Sequence, residues 1–227
     1  MARPQIKTKA IVLRRTNYGE ADRIVQLLTF DQGKLSVMAK GVRREKSKLA
    51  GGIELFAICD VTIMPGKSEI GTLTGARLDT FFAHILKDYE RMQFGYEVIK
   101  QVSKAAEHVE DTAFFELLSG AFASLNDLEV PLDAVVAWFW LQLAILEGQG
   151  LNLSTDVNGM KLVEGKNYVF DYDAMAFVYD DRGDFTTEHI KLLRLLSAQS
   201  PIVVKKVHVS TQLWGQVRWL AERVLAH

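Results

Sequence analysis

Lys40, Arg43, Arg44, Lys46 and Lys48 fall within nine consecutive positions, and Glu45 alone opposes them. Side chains of this type at this density suit a polyanion. Lysine and arginine displace condensed counterions from phosphates, and Gly41 gives the segment a hinge with which to follow an irregular backbone. More cations lie upstream. Arg14, Arg15 and Arg23 flank a Tyr18-Gly19 turn, and Lys34 opens the segment that Lys40 closes. Tyr18, set among polar residues, is the side chain best placed to carry a stacked base, a contact that contributes about 1–3 kcal/mol. Phe30 reads as core, and so does the Trp138-Phe139-Trp140 cluster, which has apolar helical neighbours.

The remaining polar inventory suggests no catalysis. Gly66-Lys67-Ser68 resembles the end of a phosphate-binding P-loop. Position 61 is Val where that motif needs glycine, however, and strand-like residues follow where it needs a helix, so a tight turn is expected. Cys59 lies in an apolar segment with no histidine close in sequence, which predicts inert burial. His84, His108, His189, His208 and His227 are scattered singly, without zinc-finger or metalloprotease spacing. Asp156, Glu164, Asp171, Asp173, Asp180, Asp181 and Asp184 match no EF-hand and read as solvated turns. There is no Gly-x-Ser-x-Gly elbow and no dinucleotide glycine fingerprint. The expectation is a binding protein without catalytic residues, cofactor or metal.

The elements that must position these residues follow from periodicity. Residues 6–80 read as five short strands: Ile6 to Arg15, Arg23 to Phe30, Lys34 to Lys40, Ile53 to Met64 and Glu69 to Leu78. Turns stand between them, and there is no room for crossover helices. That pattern predicts a small antiparallel barrel of the oligonucleotide-binding (OB) type. Beyond Leu78 the period changes to that of helices, expected from Phe81 to Ala106, over 111–127, and from Pro131 to the Gly148/Gly150 stop. Residues 151–185 return to short apolar alternation and read as a β-hairpin-like insert. Two further helices, from about Asp184 to Ser197 and from Ser210 onward, complete an α+β chain. The division expected is 1–80 for the barrel and 81–227 for a mostly α-helical domain containing the insert.

Charge supports that division. The 227 residues are nearly neutral, with 27 Lys+Arg against 28 Asp+Glu, yet residues 1–50 hold 12 cations and 4 carboxylates. The split suggests one module that faces a polyanion and an acidic remainder that does not. The longest apolar stretch, Val135 to Leu146, is 12 residues and too short to span a membrane. A single cysteine precludes an internal disulfide, and no signal peptide opens the chain, so the cytoplasm is the expected setting.

These residues together resemble a known family. Ala10 to Arg15, then Tyr18-Gly19-Glu20, Asp22 to Val25, Leu28-Thr29, Gly33, Ala39 to Arg44 and Lys46-Ser47-Lys48 are similar to the opening signature of bacterial DNA repair protein RecO. The resemblance is dense over about residues 8–56. It implies a non-catalytic recombination mediator that binds single- and double-stranded DNA and anneals complementary strands. It also implies engagement of single-stranded DNA-binding protein (SSB), help from RecR in loading RecA, and a nucleoid-associated cytoplasmic location. The DNA-binding surface it implies is Arg14, Arg15, Arg23, Lys40, Arg43, Arg44, Lys46 and Lys48, to which the charge pattern adds Tyr18 and Lys34. Many family members bind a structural zinc through two Cys-x-x-Cys pairs in the insert. This chain has no cysteine there, so packing of Leu162, Val169, Phe170, Phe177 and Val178 is expected to hold that segment. Two other readings stay open on the residues alone: a barrel adaptor for an acidic protein partner, and an RNA-directed barrel.

Overall fold

The computed structural model describes residues 4–66, 69–107 and 109–226. Lys67 and Ser68 of the expected tight turn lie outside the described residues, as do His108 and His227. The chain folds as two compact units, Met1–Asn126 and Asp127–His227.

The first unit opens with five strands: β1 (Ile6–Tyr18), β2 (Asp22–Thr29), β3 (Lys34–Ala39), β4 (Ala57–Met64) and β5 (Ile70–Phe81). They close into a barrel in the order β1-β2-β3-β5-β4, antiparallel except where β3 meets β5. Alternation sends Ala10, Val12, Val25, Leu27, Val37, Cys59, Val61 and Ile63 inward, and these fill the interior. This is the OB-type barrel expected from the strand count. One expected strand is shorter. Ile53 to Leu55 leave the ladder because Phe56 takes φ 56°, a left-handed conformation that a bulky residue adopts only under constraint. The constraint is its ring, which packs edge-on against Tyr96 at 5.1 Å and Phe122 at 5.4 Å.

Those partners sit on α1 (Tyr89–Ala105) and α2 (Thr112–Asn126), which belong to the same unit as the barrel. Asp88 caps α1 by accepting a hydrogen bond from the Arg91 backbone N–H at 3.1 Å. Gly95 leaves room for the Phe56 ring, since a Cβ there would stand 2.7 Å from Phe56 Cε1. Phe30 packs edge-on against Phe115 of α2 at 5.5 Å and keeps 43% of its surface exposed, so it is a flank contact and not interior core.

The second unit centres on α3 (Leu132–Leu146), whose Trp138 and Phe139 are buried, as the apolar run predicts. The insert is larger than a hairpin. β6 (Asn152–Asp156), β7 (Asn167–Asp171), β8 (Ala176–Tyr179) and β9 (Phe185–Thr186) form one sheet in the order β6-β8-β7-β9. β6 joins β8 in parallel, a pairing that local turn signals cannot announce. Phe177 is the hub, edge-on to Tyr168, Phe170 and Phe185. Aspartates hold the insert's turns, Asp171 by accepting from the backbone N–H of Asp173 and Ala174. Asp156 accepts from the backbone N–H of Asn158 (2.9 Å) and Met160 (2.8 Å), and Asp180 accepts from Arg182 N–H at 2.8 Å. Gly183 follows the Asp180 turn, and a Cβ there would lie 2.3 Å from the Tyr168 carbonyl carbon. Gly183→Ala is therefore expected to destabilise this unit by about 3 kcal/mol, measurable by urea unfolding.

The unit ends with α4 (Thr187–Ala198) and α5 (Thr211–Ala221). His189 Nδ1 accepts the Thr186 backbone N–H at 3.0 Å, completing a capping box, and its Nε2 donates to Gln216 of α5 at 2.8 Å. No helix among the described residues is long and apolar enough to cross a membrane.

Candidate nucleic-acid interface

The basic segment is a folded loop fastened to the β1–β2 turn. Gly41 takes φ 63° and its N–H donates to Asp22 Oδ1 at 2.6 Å. The Arg43 N–H donates to Ala21 O at 2.9 Å, and its guanidinium reaches Gly19 O at 3.2 Å. Turn hydrogen bonds continue from Arg44 N–H to Gly41 O and from Ser47 N–H to Arg44 O. Behind the loop Val42 and Ile53 are buried, plugging the barrel mouth from which Lys40 emerges. Lys40, Arg43, Arg44, Lys46 and Lys48 are left exposed. Asp22, at the head of β2, is the anchor that fixes the start of the loop.

Register brings further residues to this end. Tyr18 pairs with Asp22, and Arg23 pairs with Asn17 on one side and Ala39 on the other. Tyr18 is 56% exposed, and Arg23 Nε donates to Asn17 Oδ1 at 3.1 Å. Arg14 and Tyr18, four residues apart on β1, share the outward face and are both exposed. Among the described residues, none of Arg14, Lys40, Arg43, Arg44, Lys46 and Lys48 stands in an ion pair. Six unneutralised cations, an exposed phenol ring and a barrel mouth can hold several phosphates of one strand while a base stacks on Tyr18.

Arg15 and Lys34 are placed differently. Arg15 Nη1 lies 3.0 Å from Glu54 Oε2 and donates to Ile53 O at 3.3 Å. It clamps the far end of the loop. Lys34 Nζ, only 12% exposed, donates to Ser103 O at 3.0 Å and pairs with Glu107, tying β3 to the end of α1. Both cations are engaged within the fold. Cys59 faces the barrel interior, and burial pushes its thiol up to about 11, far from a nucleophile's range.

Comparison with known proteins finds similarity in the barrel and beyond it. The family model described as Recombination protein O N terminal matches residues 1–82, which is the barrel. The DNA repair protein RecO of Dehalococcoides mccartyi is 34% identical over 152 residues. That match covers 66% of this chain and 58% of the relative, so the chain spans less than two thirds of the relative's length.

Proposed function

The chain belongs to the RecO family, and from that footing we propose that it is a recombination mediator in DNA repair. In this reading it binds single- and double-stranded DNA, anneals complementary strands and, with RecR, assists RecA loading on DNA coated by SSB. The barrel module, residues 1–80, takes the DNA, and the remainder meets protein partners in a cytoplasmic, nucleoid-associated setting. The observation that carries the reading is the cluster of unpaired, exposed cations held by hydrogen bonds around the Tyr18 turn. Annealing follows from the same chemistry. Two complementary strands repel through their phosphates, and a surface that neutralises both lowers that repulsion.

The contact set is Arg14, Tyr18, Arg23, Lys40, Arg43, Arg44, Lys46 and Lys48, with Arg15 and Lys34 as supports. If about five phosphates are neutralised, the logarithm of the association constant for single-stranded DNA should fall against that of salt with slope about −3.5. Fluorescence-anisotropy titration over a salt series measures it, and a slope near zero would remove the electrostatic model. Strand annealing on SSB-coated DNA, with and without RecR, tests the wider role. Failure under both conditions would overturn it.

A further inference from the structure

The barrel's outer wall carries a second group of cations. Register sets Lys9 of β1 beside Asp60 of β4, and Asp60 beside Arg77 of β5. One row across three strands thus reads cation, carboxylate, cation. The adjoining row is Lys7, Thr62 and Gly75, where the missing side chain opens a groove of about 530 Å³. Its shape and its three cations would suit a phosphate backbone. The carboxylates oppose that use. Arg77 Nη2 lies 2.7 Å from Asp60, and Lys9 Nζ lies 2.9 Å from Asp79 and 3.7 Å from Asp60. The hydrogen bond from Lys9 holds the Asp79 carboxyl below its ordinary range, and the matching bonds raise Lys9 and Arg77. A phosphate arriving here meets two fixed negative charges, and cations already neutralised in this way release few counterions from DNA.

We propose that Asp60 and Asp79 are specificity-determining residues that screen Lys9 and Arg77 and so confine phosphate-backbone contact to the loop end of the barrel. The proposal rests on the loop being the DNA contact. Lys9 precedes Tyr18 by nine residues on β1, roughly 30 Å of extended strand, so unscreening would lengthen the bound stretch of DNA. Surface ion pairs of this kind contribute little to folding, so neutralising the carboxylates should leave the melting temperature almost unchanged.

The test is anisotropy titration of single-stranded oligonucleotides of graded length, over a salt series, with wild type, D60N/D79N, D79N alone and K9A/R77A. D60N/D79N should bind on the order of tenfold tighter at 0.1 M salt, with a slope steeper by about 1.4 for two recruited contacts. It should also need a longer oligonucleotide to saturate, D79N should lie between it and wild type, and K9A/R77A should match wild type. An unchanged slope and length dependence in D60N/D79N and D79N would overturn the proposal. So would a loss of affinity in K9A/R77A alone, which would make the groove a working contact. Wild-type protein that binds no DNA would instead sink the reading of the loop.

Discussion

Arg43→Glu combined with Arg44→Glu is expected to weaken single-stranded DNA binding at least about 100-fold at 0.1 M salt, while the melting temperature stays within a few degrees. Losing two contacts alone removes about 1.4 from the salt slope, which is more than tenfold in affinity at that salt, and the two new carboxylates add repulsion. Both side chains are exposed, and neither stands in an ion pair among the described residues. Among the described residues, the only side-chain hydrogen bond at stake is the surface one from Arg43 to Gly19 O. The loss should be uniform across sequences, because phosphates carry no base identity. Arg43→Lys with Arg44→Lys should retain most of the affinity. If the double reversal left DNA binding intact while abolishing capture of an acidic protein, the barrel would be an adaptor. A preference for RNA over DNA of equal length would favour an RNA-directed barrel.

What the chain disclosed in advance, and what it withheld, follows one physical distinction. Local signals were legible. Leu35, Val37 and Ala39 alternate inward, turns fall at Gly19 and Gly33, and the basic run from Lys40 to Lys48 forms an exposed loop. What could not be read depends on partners remote in sequence. Arg15 and Lys34 look like their neighbours until the fold brings Glu54 and Glu107 to them, 39 and 73 residues away. Phe56 looks like a strand residue until Tyr96 and Phe122 supply the pocket that makes a left-handed backbone tolerable. Lys9 and Arg77 likewise look available until register sets Asp60 between them. Charge composition marks a basic segment, but only the three-dimensional pairing decides which of its cations stay outside ion pairs.

That distinction can be tested at a residue with no charge at all. Gly52→Ala is expected to destabilise the protein by about 3 kcal/mol and lower its melting temperature by roughly 6–12 °C. A Cβ at Gly52 would lie 2.4 Å from the Ala76 carbonyl carbon and 2.5 Å from its oxygen. These are backbone atoms of β5 within a closed barrel, so no side-chain rotation relieves the overlap, and the loop must lift. Lifting exposes Ile53, which is fully buried, and loosens the Arg15 clamp on Ile53 O and Glu54. Gly51→Ala is the control, since its Cβ would meet nothing within 4 Å. It should melt and bind like wild type. At a temperature where Gly52→Ala remains folded it still holds every cation of the loop, so a several-fold loss of DNA affinity there would separate loop position from loop charge. Undiminished affinity would mean that the cations act as a flexible cluster and need no fixed placement. A shallower salt slope would mean that fewer of them reach phosphate once the loop has moved.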